Sequence, residues 1–402
     1  MLHYNFIEEA KARTVYENFS EAEYESRYRR IREMMDRESI DCLVLFAAGK
    51  EMLQKNARYI SGWADGIQQY VVFPREGEPT LFVSISPHAL CCKLYSHLKD
   101  IRWSPSAADG VADRIIEAGC EQGMVGIVGR DQRIFSTLPC DHFERLKTRL
   151  PRARWSFVTG PYEKLRGIKS EEEISFYRKG AEITDKCMES LVKATRVGVA
   201  EYELYAEMTA ESWRNNALPI FALLGSTPMA DPTMPYPWRV PSARKIAMGD
   251  LILNELSMSY FGCSGQLIRP IAVGKPTERF QKMYAIAEET FQRVAEVLKP
   301  GCTREEVLRA SSRIPDAGLI IEAPLIHGWD DKPESPHWGI RGQPGVIDGE
   351  ETIQENQLIM IEPNPCTPDY RAGIFLGDLG VIRRDGWHSL HKFPLQFVVV
   401  DG

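Results

Sequence analysis

Hydrophobic and polar positions change rhythm once along the chain, and the change divides it. In "SEAEYESRYRRIREMMDRESI" (20–40), Tyr, Ile and Met recur at helical spacing behind Ser20, an N-cap residue type. The compact apolar runs "DCLVLFA" (41–47), "YVVFP" (70–74) and "EPTLFVSI" (78–85) predict buried strands. "DGVADRIIEAG" (109–119) predicts a helix and "GMVGIVG" (123–129) a strand, so strand and helix alternate as in an α/β layer.

Near residue 160 the pattern shifts. Ser170 followed by Glu173 makes a capping box, which opens a helix of about 25 residues. A second long helix starts near Glu201, and a Pro-rich passage follows, "GSTPMADPTMPYPWRVPSARKIAMGD" (225–250). "GDLILNELSMSYFGCSGQLIRPIAVG" (249–274) then gives two strand runs around "SYFGCSG", a hairpin. A helix over 276–298 precedes a tail, 319–402, of short strands and turns. The pattern predicts two domains, an α/β domain over 1–162 and an α+β domain over 163–402.

Composition narrows the function. The 402 residues are 44% hydrophobic and 26% charged, an ordinary globular balance. The net charge of −7, with no dense basic run, argues against a nucleic-acid partner. No apolar run is long enough to span a bilayer, and the polar start lacks an apolar signal core. Nine cysteines without a C-x-x-C read as reduced thiols, and a cytoplasmic location is expected.

Three ionisable residues sit inside apolar strand patterns. Side chains alternate along a strand, so "LILNELSM" places Glu255 on one face with Leu251 and Leu253. A carboxylate on an apolar face needs a partner. "LIMIEPNP" embeds Glu362 ahead of a proline, and "APLIHGWDD" sets His327 at the end of an apolar run.

These segments resemble the pita-bread superfamily of methionine aminopeptidase, aminopeptidase P, prolidase and creatinase. "RGIKSEEEI", "ARKIAMGDLIL", "SYFGCSGQLIRPIAVG", "LKPGCTREEV", "IMIEPNP" and "GIFLGDLGVIRRDG" carry the resemblance, in order, over nearly the whole chain. It implies an α/β creatinase-type N-terminal domain followed by an α+β pita-bread catalytic domain. The metallopeptidase members hold two metal ions with Asp, Asp, His, Glu and Glu. On those positions this sequence has Glu255, Gln266, His327, Glu362 and Gly377. The loop where the peptidases carry a catalytic His reads "MPYPWRVPSARKI", with Tyr236 or Trp238 near its place.

Losing two anionic ligands argues against a pair of ions. The pattern comes closest to the superfamily's metal-independent C–N hydrolases, ectoine hydrolase and creatinase. The expectation is therefore a metal-independent hydrolase, without cofactor, of a C–N bond in a small amidine, guanidino, ureido or cyclic compound. Glu255, Glu362 and His327 would be catalytic, with the two carboxyls as general base and general acid. Gln266, Tyr236 and Trp238 would bind substrate. Trp63 and Tyr70, in "ARYISGWADGIQQY", would contribute aromatic faces from the N-terminal domain of a homodimer partner to a cationic or zwitterionic substrate. The alternatives are a single ion on Glu255, His327 and Glu362 in a hydrolase or lyase, and a non-catalytic binding protein.

Overall fold

The computed structural model describes residues 17–129, 137–233, 240–331, 333–340 and 351–401, with 9, 10 and 13 besides. The chain divides into two compact units, Met1–Arg166 and Gly167–Gly402. Each has its own buried apolar clusters. Among the described residues, no helix is long and apolar enough to cross a membrane. All nine cysteines are described, and none is in a disulfide.

In the first unit the described strands are β1 (Cys42–Ala48), β2 (Gln68–Pro74), β3 (Thr80–Val83), β4 (Asp100–Arg102), β5 (Met124–Val128) and β6 (Arg154–Phe157). They form one mixed sheet in the order β4-β3-β2-β1-β5-β6. The near-continuous apolar runs of β1 and β2 follow from burial on both faces. Ser20 caps the helix Glu21–Arg37 by accepting from the Glu23 amide, as its position in the pattern predicts.

The second unit opens with the helix Glu171–Ala194, begun by the Ser170/Glu173 capping box. Its described strands are β7 (Leu218–Pro228), β8 (Asp250–Tyr260), β9 (Cys263–Ile268), β10 (Ile271–Val273), β11 (Ile320–Ile321), β12 (Ile326–Trp329), β13 (Pro333–Trp338), β14 (Leu358–Ile361), β15 (Pro365–Cys366), β16 (Gly377–Arg383), β17 (Gly386–Ser389) and β18 (Val398–Val400). Most join a strongly antiparallel sheet in the order β13-β12-β14-β16-β9-β8-β10-β18, with β7 on β8 and β17 on β16. β11 pairs with β15 apart from it. This is the α+β arrangement expected of the pita-bread half.

One face of that sheet is greasy. Ile252, Leu256 and Met258 of β8 and Leu267 of β9 join Ile183, Cys187, Met188 and Leu191 of the helix in a single core. The approach is close: a Cβ at Gly180 would stand 2.2 Å from the Cys263 carbonyl oxygen. By alternation the opposite face collects Glu255, Ser257 and Ser259 from β8 with Ser264 and Gln266 from β9.

Strand register at the middle of the sheet depends on Arg269, which is fully buried. Its guanidinium donates to the carbonyls of Ile268 (2.9 Å), Gly377 (2.6 Å), Pro394 (2.7 Å) and Phe393 (3.1 Å), and to Asp378 Oδ2 (2.7 Å). Asp378 is held in turn by the Ser389 hydroxyl at 2.8 Å. Arg269→Met leaves the Asp378 charge buried without its partner and is expected to lower stability by about 3–5 kcal/mol. Guanidinium unfolding followed by tryptophan fluorescence measures it. A loss under about 1 kcal/mol would show that the guanidinium does not fix these strands.

Candidate active site

Four of the residues singled out in the sequence meet on the polar face of the large sheet. Glu255 lies mid-β8, Gln266 on β9, His327 on β12, and Glu362 just past the end of β14. None is more than 6% exposed. The hairpin β8–β9 pairs Ser257 with Gln266, so Glu255 lies diagonal to Gln266 on the same face. β12 pairs with β14, His327 opposite Met360, which brings Glu362 alongside the imidazole.

Gln266 ties the carboxylates together. Its Nε2 donates to Glu255 Oε1 and, at 3.1 Å, to Glu362 Oε1. This fixes the amide orientation, because a flipped amide would set its oxygen against two carboxylates. The amide oxygen, Oε1, has no hydrogen-bond partner among the described residues.

His327 completes the group. Its Nδ1 lies 2.9 Å from the Gly328 carbonyl oxygen and its Nε2 lies 3.0 Å from Glu362 Oε1. A carbonyl only accepts, so Nδ1 must carry a proton and donate it. A neutral ring then presents a bare lone pair from Nε2 toward a carboxylate oxygen. That contact requires a positive species, either a proton or a metal ion. An imidazole that donates Nδ1–H to a backbone carbonyl and directs Nε2 inward is also the usual posture of a metal-ligating histidine.

The flank of His327 is irregular for a specific reason. The β12–β13 pairing jumps from His327↔His337 to Gly328↔Glu334, so Ser335 and Pro336 bulge out of register. A Cβ at Gly328 would stand 2.2 Å from the Ser335 carbonyl oxygen, so the bulge needs glycine there. Beyond it, Lys169 Nζ meets Asp330 Oδ2 at 3.0 Å, and the Tyr177 hydroxyl donates to Asp330 Oδ1. Burial, reinforced by Asp330, holds the Tyr177 hydroxyl well above its ordinary pKa, so it stays a donor. Asp331 Oδ1 accepts from the Ser264 amide and hydroxyl, both at 2.7 Å. The His327 strand is thereby pinned to the hairpin that carries Gln266.

The structure also brings in His337, which the sequence reading did not single out. It stands opposite His327 on β13, ring centroids 6.1 Å apart and 25° from parallel, and is buried. The alternation "PHW" into a buried Trp338 was the available signal. Trp63 and Tyr70 belong to the packing of the first unit. Trp63 stacks on Tyr95 at 5.5 Å, and Tyr70 is 1% exposed with its hydroxyl on His142 Nδ1. Tyr236 and Trp238 lie outside the described residues.

The residues do not fit two metal ions. Gln266 contributes no charge where a second carboxylate would be required. Gly377 offers no side chain as a fifth ligand, and a Cβ there would meet the flexible ends of Met360 (Cε, 2.6 Å) and Ile268 (Cδ1, 2.9 Å). Glu255, His327 and Glu362 are the donors left for one ion, joined through Gln266 Nε2 and the His327–Glu362 contact, although as positioned no three such groups among the described residues are set around a common ion position.

Comparison with known proteins identifies the family. Residues 175–385 match the metallopeptidase family M24, and 27–168 match the creatinase/prolidase N-terminal domain. The chain belongs to metallopeptidase family M24. One M24 relative, an Xaa-Pro dipeptidase of Pyrococcus horikoshii, is 27% identical over 92% of this chain and 98% of its own. A peptidase of Staphylococcus aureus that is otherwise uncharacterised is 30% identical over 58% of this chain and 64% of its own. Among solved M24 structures, the P. horikoshii prolidase superposes with a TM-score of 0.75 at 24% identity, over 93% of this chain and all of that one. The X-Pro aminopeptidase of Thermotoga maritima gives 0.79 at 18%, over 93% and 99%. At those identities the structures speak for the fold, which is the pita-bread fold.

These findings overturn the expected metal-independent hydrolysis of a non-peptide C–N bond. The family is one of metallopeptidases, and the relatives matched along most of the chain are named dipeptidases. That expectation tallied lost ligands by charge, yet the site keeps carboxylate and imidazole donors at Glu255, His327 and Glu362.

Gln266→Asp tests the electrostatics of the site. In chelator it should lower stability by about 1–3 kcal/mol, since a third carboxylate replaces the amide donor. With a divalent ion added, the mutant's melting temperature should rise further than the wild type's. Equal ion-induced shifts in the two proteins would refute this account of Gln266.

Proposed function

We propose that the chain is a metal-dependent hydrolase of short peptides, working with a single divalent ion held by Glu255, His327 and Glu362. The observation that carries this is the buried cluster at the family's ligand positions, in which Gln266 Nε2 joins Glu255 to Glu362 and His327 Nε2 meets Glu362 Oε1. The named activity of the Xaa-Pro dipeptidase relatives supports the choice of peptide substrate. The homodimer that the resemblance implies is kept as part of the proposal.

When bound, the ion supplies Lewis-acid polarisation of the scissile carbonyl. The chain's own residues do the rest. The Glu255 carboxylate takes the proton of the attacking water and returns it to the leaving nitrogen. Gln266 Nε2, bonded to both carboxylates, fixes the angle between them, so neither rotates as charge develops. The Gly328 carbonyl holds the His327 ring in one tautomer. Burial of all four side chains keeps bulk water from screening these charges.

Elemental mass spectrometry after loading with Mn²⁺ or Co²⁺ should find about one ion per chain, and Glu362→Ala should lose it. Hydrolysis of Xaa-Pro dipeptides should require that ion, and Glu255→Gln, assayed at ion concentrations that saturate the variant, should lower kcat by about 10²–10⁴-fold. Two ions per chain, or activity indifferent to chelation, would rule the proposal out.

A further inference from the structure

Two cysteines far apart in sequence meet in the first unit. Cys42 opens β1, and Cys120 follows the helix Ala107–Glu117. Both pack in the apolar cluster on one face of the sheet, Cys42 fully buried and Cys120 half-buried at its rim. Their side chains are in hydrogen-bond contact, the Cys42 S–H donating to the Cys120 sulfur. The Cys120 sulfur also lies 3.5 Å from the Ala118 carbonyl oxygen and 3.7 Å from that of Asp41, the residue beside Cys42. Neither backbone is free to draw away. The Asp41 amide donates to the Met124 carbonyl (2.9 Å), and Asp41 Oδ2 accepts from the Met124 amide (2.8 Å). The Cys120 amide donates to the Ile115 carbonyl, and the Cys120 carbonyl accepts from the Gly123 amide, both at 3.0 Å. The turn that carries Cys120 is thereby tied to the same edge of β1 that Val125 of β5 pairs with at Cys42.

The two thiols are unequal. Solvent reaches Cys120 and does not reach Cys42. The hydrogen bond from Cys42 draws the Cys120 pKa below the ordinary thiol range, opposed by burial and by the charges of Asp41 and Glu121 and assisted by Arg114. The same hydrogen bond, together with burial, holds Cys42 well above that range, so it keeps its proton. One sulfur is accessible and inclined to the thiolate, the nucleophilic form. The other is a sheltered S–H already pointed at it. Two cysteines that served only as small apolar side chains would need neither the contact nor the difference in access.

We propose that Cys42 and Cys120 form a modification site for hydrogen peroxide, in which Cys120 is oxidised and Cys42 closes a reversible disulfide. The Cys120 thiolate attacks one peroxide oxygen and the O–O bond breaks, giving a sulfenic acid and a hydroxide that takes up the proton Cys120 released and leaves as water. The Cys42 sulfur then attacks the Cys120 sulfur. The S–O bond breaks as the S–S bond forms, and the departing hydroxide takes the Cys42 proton to become a second water. Two electrons pass from the sulfur pair to one peroxide, which ends as two waters. The product joins the start of β1 to the turn after the helix, inside the first unit, and it stands independently of the hydrolase reading.

Peptide mass mapping of the full chain tests the pair without any assay of turnover. The reduced protein is treated with a small excess of hydrogen peroxide at neutral pH, unfolded with N-ethylmaleimide to block the remaining thiols, and digested with trypsin without reductant. ESIDCLVLFAAGK (38–50) and IIEAGCEQGMVGIVGR (115–130) should appear joined, two hydrogens lighter than their sum, and should separate on treatment with dithiothreitol. Cys120→Ser should abolish the link and leave Cys42 open to maleimide once the chain unfolds. Cys42→Ala leaves the sulfenic acid without a thiol to resolve it, so dimedone should label Cys120 at least about tenfold more than in wild type. Cys42→Ser serves as the second variant should the first not fold. A pair that merely packs predicts that both thiols are recovered as maleimide adducts after peroxide. That result would overturn the proposal, as would Cys120 joined chiefly to another cysteine or carried straight to the sulfinic acid in wild type.

Discussion

The buried guanidinium of Arg269 is the constraint on which the catalytic half depends. Its five N–H groups satisfy backbone carbonyls at the end of β9, the start of β16 and the 393–394 segment, together with the Asp378 carboxylate. A single side chain thereby sets the register of strands that are far apart in sequence. The position of Gln266 relative to Glu362 follows from that register, because β9 reaches β14 only through β16. The cost of burying this charge is offset only because every donor is matched. Geometry at the site is therefore inherited from a polar cluster one strand-end away from it.

Of the five positions at which the family's metallopeptidases carry ligands, this chain keeps a carboxylate or imidazole at three, Glu255, His327 and Glu362. Glu255 reaches one methylene further than an aspartate, Gln266 substitutes dipole for charge, and Gly377 withdraws altogether. These changes are mutually consistent. An amide between two carboxylates relieves repulsion that a third carboxylate would aggravate, so the pocket tolerates fewer cations. The anchoring beyond His327 by Asp330, Asp331, Lys169 and Tyr177 shows that the surrounding framework has been kept stiff while the ligand set shrank.

Much of this was legible in the sequence. Alternating strand and helix signals, the Ser170/Glu173 box and the hairpin around Phe261 and Gly262 placed the elements, because each is encoded by neighbours in the chain. Glu255 and Glu362 were legible for the same reason, as charges inside apolar strands. His337 was not, since its approach to His327 depends on a bulge at Ser335 and Pro336 that strand periodicity does not report. Arg269 was not legible either, because nothing local announces acceptors contributed by residues 377, 378, 393 and 394. Trp63 and Tyr70 were read from an aromatic-rich segment, and the single chain places Trp63 on Tyr95 and Tyr70 against His142 in the first unit. The metal question went wrong for a related reason. A sequence shows which ligands are missing, whereas the way Gln266 and His327 join the remaining carboxylates lies in the strand pairing.

Gly377 also decides what a side chain at that place would meet. A Cβ there would press on Met360 Cε and Ile268 Cδ1, the free ends of two flexible apolar side chains that can swing aside. A carboxylate restored at 377 would therefore be admitted by a small local shift, but it would enter among methyl groups, where an anion is costly unless a cation or a donor arrives with it.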